Sequence, residues 1–149
     1  MMFYIPGKPQ GKARARTFYN PKLGRSQSVT PAKTVLYENW IRQCFLEQCG
    51  DEPRYFEKQP LQMRIYAHFD IPKSTPKKKA EQMAKNRLRP TKKPDADNIA
   101  KVVCDALNGL AYHDDTKIVD LQVLKCYAGD EEQGVYVVIN EIWQREEEE

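Results

Sequence analysis

The stretch Lys93-Pro94-Asp95-Ala96-Asp97-Asn98-Ile99-Ala100-Lys101-Val102-Val103-Cys104-Asp105-Ala106-Leu107-Asn108-Gly109-Leu110 decides how this chain is read. From Asn98 to Leu110 the apolar residues Ile99, Val102, Val103, Ala106, Leu107 and Leu110 repeat at the spacing of one buried helical stripe. Lys101, Asp105 and Asn108 fall on the opposite face. Either Asp97 or Asn98 can cap the start, since a short side-chain oxygen there can accept from the unpaired amides of the first turn. Asn108-Gly109 supplies a stop signal of the glycine type. Just beyond it, Tyr112-His113-Asp114-Asp115 brings a second acidic pair, so two acidic clusters are joined by one helix and a turn.

Upstream, Leu61, Met63, Ile65, Ala67, Phe69 and Ile71 alternate with Gln62, Arg64, Tyr66, His68 and Asp70, a half-buried strand of period two. His68 lies on its polar face, as a surface or dimer-contact residue, and Asp70 stands at its end as a further, weaker candidate carboxylate. Downstream, Lys117 to Ala128 and Val135 to Trp143 read as strands joined across a turn at residues 129–134, which predicts a hairpin. Phe3 to Pro6 is a short first strand. Thr30-Pro31 is a helix start, threonine as cap and proline in the first turn. Leu36, Trp40, Ile41, Cys44 and Phe45 then mark the inner face of a scaffold helix that ends near Gly50, with Trp40 in the core. Residues 51–60 form a polar connection.

At 149 residues the chain is large enough for one domain with its own core. No apolar run reaches membrane-spanning length, and the N-terminus lacks the apolar centre of a signal peptide, so the expected compartment is the cytoplasm, with no membrane partner. Cys44, Cys49, Cys104 and Cys126 show no Cys-x-x-Cys spacing and read as buried free thiols. The net charge of +3 conceals an asymmetry. Residues 1–26 carry Lys8, Lys12, Arg14, Arg16, Lys22 and Arg25 without an acid. Residues 72–94 carry Lys73, Lys77, Lys78, Lys79, Lys85, Arg87, Arg89, Lys92 and Lys93 against Glu81 alone. Acids collect at 95–120 and in the tail, Glu146 to Glu149, which reads as disordered. A solvated surface accounts for many such runs. Basic flanks around an acidic centre also suit an anionic polymer held near a metal.

The first basic segment, Lys8 to Arg16, reads as an extended arm in which Lys12, Arg14 and Arg16 share a side. It contains no P-loop. The second is an insert with a short helix over Pro76 to Lys85 and little to bury, so mobility without a partner is expected. As for the acids, magnesium takes one or two protein carboxylates and completes its shell with water and phosphate oxygens. Asp95 and Asp97 can converge on such an ion if the chain between them is extended, and Asp114 or Asp115 can close the site if the chain after Gly109 runs back along the helix. Lys101, one turn after Asp97, can hold a phosphate or pair with Asp97 and Asp105. An Asp-x-Asp beside a helix is more often a capping device than a catalyst; the second acidic pair and Lys101 shift the balance. Asp105 reads as an ion-pair or supporting residue, and His113 as a loop residue as readily as a ligand.

The block Lys93-Pro-Asp-Ala-Asp-Asn-Ile-Ala-Lys101, with Asp105-Ala-Leu-Asn-Gly109 and Asp114-Asp-Thr-Lys-Ile-Val119, resembles the RusA family of Holliday-junction resolvases. The opening Ile5-Pro-Gly-Lys-Pro-Gln-Gly-Lys-Ala-Arg-Ala-Arg16 resembles its phage-type members, and the family's distribution points to a prophage origin. The resemblance implies a single-domain α/β (α+β) fold, a mixed sheet packed with helices, spanning residues 1–145 with the insert at 72–94 and a tail at 146–149. It implies a homodimer that resolves four-way or branched DNA by paired symmetric nicks, in recombination and repair, using Mg2+ with Mn2+ as substitute. Asp95, Asp97 and Asp115 would be the catalytic, metal-binding carboxylates, Asp114 the lesser member of its pair, and Lys101 the essential lysine. Lys8, Lys12, Arg14, Arg16, Lys77, Lys78, Lys79, Arg87, Arg89, Lys92 and Lys93 would contact DNA. Lys117 departs from the pattern, since many members carry glutamine there. Two rival readings are a branched-DNA-binding protein with structural aspartates and a metal-dependent phosphohydrolase acting on smaller nucleotides.

Overall fold

The computed structural model describes residues 1–129 and 132–142. The elements in order are β1 (Met2–Pro6), β2 (Arg16–Asn20), β3 (Arg25–Val29), α1 (Ala32–Cys49), β4 (Leu61–Phe69), α2 (Lys77–Ala84), α3 (Ala96–Leu107), a 3-10 turn (Asp115–Lys117), β5 (Ile118–Tyr127) and β6 (Gly134–Glu141). This is the mixed α+β architecture the sequence predicts. The expected turn at 129–134 and the strand end at Trp143 lie partly outside the described residues, and the acidic tail wholly so.

The main sheet has the order β1-β6-β4-β5, antiparallel except for the parallel pair β4 and β5. In β4 the odd-numbered residues Leu61 to Phe69 are all buried and the even ones half-buried, as period two requires. The inner face, with Phe3, Ile5, Val135, Val137 and Ile139, packs under α1 and α3. Phe3 meets Phe45 edge to face at 5.5 Å. The outer face carries Tyr4 stacked on Tyr136, with His68 against the same ring.

The predicted hairpin does not form: β5 and β6 lie on opposite sides of β4. The reason is in their composition. β6 offers three fully buried residues, Val135, Val137 and Ile139, and takes an interior position. In β5, Val119 and Leu121 are exposed and only Cys126 is buried, as befits an edge. A parallel neighbour requires a crossover, and that crossover, residues 70–117, contains α2 and α3.

Helix α1 starts one residue later than a threonine cap implies: Pro31 is the cap residue and no side chain caps it. Its buried stripe is Thr34, Tyr37, Ile41, Cys44, Phe45 and Cys49. Leu36 is 70% exposed and Trp40 37% exposed, so the core placement of both is corrected. Trp40 instead donates its indole N–H to the Pro6 carbonyl at 2.9 Å, clamping β1 to the rim of α1. The four cysteines are buried and unpaired, as predicted. Residues 16–29, on which the sequence offers no clear pattern, form a two-stranded ribbon closed by Asn20, whose carbonyl accepts from Gly24 and whose side chain accepts from Lys22 N–H. The basic insert does not hang free. Met83 is buried, Arg89 donates to the Lys125 carbonyl, and Lys125 donates to the Lys92 carbonyl, which seats the insert on β5.

On the outer face Arg64 of β4 grips Asp120 of β5 with two hydrogen bonds of 2.8 and 3.0 Å, and Gln62 adds a third. The Arg64 guanidinium, then Gln62, hold the Asp120 carboxyl down to about 2. Because the folded state binds this proton less readily than the unfolded one, the stabilisation is present above the ordinary carboxylate range and is lost as pH falls towards about 2. We expect the melting temperature of Asp120→Asn to fall less steeply than that of the wild type between about pH 4 and about pH 2. Parallel slopes would mean that the pair is uncoupled from folding.

Candidate active site

The entry to α3 passes through a cis Lys93–Pro94 peptide to Asp95, which is extended (φ −69, ψ 151) and is the cap residue. Its carbonyl accepts from Ile99 N–H, while its carboxylate makes no cap hydrogen bond. The helix thus begins at Ala96, with Asp97 inside its first turn, two or three residues earlier than a cap at Asp97 or Asn98 implies. An acid in the first turn complements the exposed amides there.

At the other end the chain doubles back. Gly109, at φ +71, permits a reversal in which Leu110 and Ala111 N–H donate to the Leu107 carbonyl. Tyr112 is fully buried and donates its hydroxyl to the Cys104 carbonyl at 2.8 Å. Tyr55 N–H donates to Ala111, and His113 N–H donates to Tyr55, so the polar connection after α1 straps the return from outside. The last step is made by Asn108, whose side-chain oxygen accepts from Asp115 N–H at 2.9 Å.

The result is a cavity of about 430 Å³ between α3 and the start of β5, lined by Asp97, Lys101, Asp105 and Asp115 with Ile118 and Leu121. Helix periodicity explains three of these, since Asp97, Lys101 and Asp105 are four apart. Asp115 joins them from the return. Asp114 does not line it; its carboxylate accepts from Thr116 N–H and caps the 3-10 turn. Asp95 does not line it either, and faces a neighbouring cleft with Lys93 and Asn98. Asp70 is exposed at the end of β4, its N–H donating to Gln133, and lines neither.

Burial raises the Asp115 carboxyl above the ordinary range, and Asp114 and Asp105 add to this. Asp114 is lowered, first by its hydrogen bond with Asp115 and then by Thr116 N–H. A carboxylate pressed by two others is stabilised by a cation. Asp105 has one already: Lys12 Nζ lies 3.1 Å from it and 2.5 Å from Glu38 of α1. Partial burial pulls that amine down, but hydrogen bonds to Glu38 and Asp105 outweigh it and leave the lysine raised and charged. Lys101, by contrast, is exposed and forms no ion pair among the described residues. Burial pushes the Cys104 thiol at the cavity wall up to about 11, which keeps it protonated and inert as a nucleophile.

Among the described residues no three acidic, imidazole or thiol side chains converge as a ready metal cage. Asp97 and Asp115 on one cavity do fit the demand of magnesium, which needs only one or two carboxylates.

Residues 6–140 match the family described as endodeoxyribonuclease RusA. The chain belongs to the RusA family. It is therefore an endodeoxyribonuclease, of a family of resolvases that act on branched DNA. A relative in Bacillus subtilis (strain 168), the uncharacterized protein YqaN, is 37% identical over 142 residues, covering 94% of this chain and 95% of its own.

The basic residues read from the sequence occupy three places in this RusA chain. Lys8, Arg14 and Lys93 border the cleft next to the carboxylate cavity, together with Lys12, whose amine is committed to Glu38 and Asp105. Arg16 opens the exposed ribbon. Lys77, Lys78 and Lys79 form the first turn of α2; Arg87, Arg89 and Lys92 follow it, Arg89 tied to β5 and Lys92 over the Phe69 ring. Lys117, the departure from the family pattern, closes the 3-10 turn that carries Asp115. The sequence did not announce the work of Asn108, Tyr112 and Lys12; only the Asn-Gly turn signal hinted at the first.

Two substitutions separate support from chemistry. Tyr112→Phe leaves a buried carbonyl without one partner and should lower stability by about 1–3 kcal/mol in a denaturant titration. Asn108→Ala should leave the melting temperature within about 2 °C of the wild type while reducing turnover on DNA by roughly ten- to a hundredfold, the cost of a misplaced reacting group. Unchanged turnover in Asn108→Ala would show that Asp115 needs no such anchor.

Proposed function

We propose that this chain is a magnesium-dependent, structure-specific endonuclease that resolves four-way DNA junctions by paired symmetric nicks, acting as a homodimer. The observation that carries the reading is the meeting of Asp97, Asp115 and the unpaired Lys101 on one open cavity, beside a cleft rich in cations.

Asp97 and Asp115 are the carboxylates that would hold the ion, with Mn2+ able to substitute. Asp95 enters as the third carboxylate of the set, placed on the turn between the two clefts. When bound, the divalent ion polarises the phosphodiester and lowers the pKa of an attacking water. Lys101, in no ion pair among the described residues, binds a non-bridging oxygen of the scissile phosphate and offsets charge that develops there. Asp105, neutralised by Lys12, supports the wall of the cavity and leaves the remaining negative charge on Asp97 and Asp115. Asn108 fixes the backbone of Asp115, and Asp114 fixes the turn that carries it.

Cationic residues of the arm, of the ribbon and of α2 with its following loop contact backbone phosphates, so affinity carries little sequence information and falls with salt. A four-way junction presents two equivalent strands, and a two-fold dimer presents one carboxylate cavity to each. No helix among the described residues is long and apolar enough to cross a membrane.

The test is a nicking assay on a synthetic four-way junction in magnesium. Wild type should give paired nicks at symmetric positions. Asp97→Asn and Lys101→Ala should each lose roughly a hundredfold or more in rate while still binding the junction. Junction binding by wild type without cleavage in magnesium or manganese would favour a binding protein; cleavage of mononucleotides in preference to junctions would favour a phosphohydrolase.

A further inference from the structure

A second cleft, of about 640 Å³, adjoins the carboxylate cavity on the other side of the turn into α3. Its walls are the arm at Lys8 to Arg14, the first turn of α1 with Lys33, and the turn from Lys93 to Asn98. The two clefts differ in sign. The first holds Asp97, Asp105 and Asp115 against Lys101; the second holds Lys8, Lys12, Arg14, Lys33 and Lys93 against Asp95.

The second cleft is a built feature. Gly11 lies so close to the start of α3 that a Cβ there would stand 2.9 Å from the Asn98 Cβ and 3.0 Å from the Pro94 Cβ. Lys12 N–H donates to the Asn98 carbonyl at 2.9 Å, and Ala13 N–H donates to the buried Thr34 hydroxyl. The arm is thereby pinned to both helices, and Lys12 bridges them through Glu38 and Asp105. What the pinning leaves over is four exposed cations, Lys8, Arg14, Lys33 and Lys93, none in an ion pair among the described residues. The α1 amino terminus, without a side-chain cap, adds its partial positive charge to theirs. Four unpaired cations held around one concavity are a site for a phosphate group.

We propose that this cleft binds a backbone phosphate of the cut DNA strand, adjacent to the scissile phosphate, with Arg14 and Lys33 as its main ligands. The proposal rests on the endonuclease reading of the adjoining cavity. It adds Lys33, on which neither the charge runs nor the family pattern draws attention, and it gives the arm a defined seat for one phosphate rather than a diffuse attraction. The strand then crosses the Asp95–Asn98 turn, from a basic cleft on one side to the carboxylates on the other.

The experiment measures binding of a four-way junction across a salt series in the presence of a chelator, so that no cleavage occurs and the outcome is independent of nuclease activity. The variants are Arg14→Ala/Lys33→Ala and, as a control on the connection between α1 and β4, Lys58→Ala. At about 0.9 counterion per neutralised phosphate, losing the one phosphate held in the cleft should shorten the slope of log affinity against log salt by about 1 in the double variant, and Lys58→Ala should leave it unchanged. Slopes equal in wild type and the double variant overturn the proposal. It is also overturned if inorganic phosphate raises the melting temperature of wild type but not of the double variant while junction binding is the same in both, since the cleft then holds free phosphate. Wild type that binds with the steep slope but never nicks in magnesium counts against the endonuclease reading alone.

Discussion

Three aspartates, Asp97, Asp105 and Asp115, face one cavity, and gathering like charges at the surface of a fold costs free energy that something must offset. The fold answers in two ways. Asp105 is met by Lys12, an amine from the arm that also binds Glu38. Asp115 is met by nothing comparable: burial and two neighbouring carboxylates push its carboxyl up. A fold optimised only for stability would not keep it there. The backbone around it is instead fastened, by Asn108 at the residue itself and by Tyr112 beneath the return. The unfavourable charge is thus held in place by interactions that do not neutralise it, which leaves a cation as the missing counter-charge.

The scaffold follows from the same need. Asp97 and Lys101 are fixed because α3 buries Ile99, Val102, Val103, Ala106 and Leu107 against the sheet and α1. Arg42 of α1 donates to the Ala106 carbonyl at 2.8 Å, tying the last turn of α3 to its neighbour. The parallel pairing of β4 with β5 makes α3 part of a crossover, and that crossover ends in the 3-10 turn Asp115–Lys117, directly before β5. Both acidic clusters therefore lie on rigid elements at either end of one connection.

The sequence was most legible where a pattern is local. The alternation from Leu61 and the stripe of α3 each have one physical solution, and both appear, though the strand stops at Phe69, short of Ile71, and the helix at Leu107, short of Leu110. Local reading failed where two partners compete. A turn between two strands looks like a hairpin, but the buried Val135, Val137 and Ile139 gain more beside β4 than beside the polar β5. In α1 nearly every face carries apolar residues, so periodicity could not decide between Tyr37 and Leu36. At the site, Asp97, Lys101 and Asp105 were legible as one helical face. The parting of Asp95 from Asp97 was not, because it depends on where the helix starts, and the proline turn before Asp95 moves that start forward. Nor was the engagement of Lys12, which reads as one more cation of a basic arm until two carboxylates from different helices are seen around it.

The central claim is that Asp97 and Asp115, brought together by one helix and the turn that follows it, share one cation. Its most direct test is the anomalous scattering of manganese in crystals of the wild-type protein. A peak in the cavity within bonding reach of both carboxylates, absent from crystals of Asp115→Asn, is the predicted result. A peak confined to Asp95 in the basic cleft, or an empty cavity in crystals whose protein still cuts DNA with manganese, would contradict it.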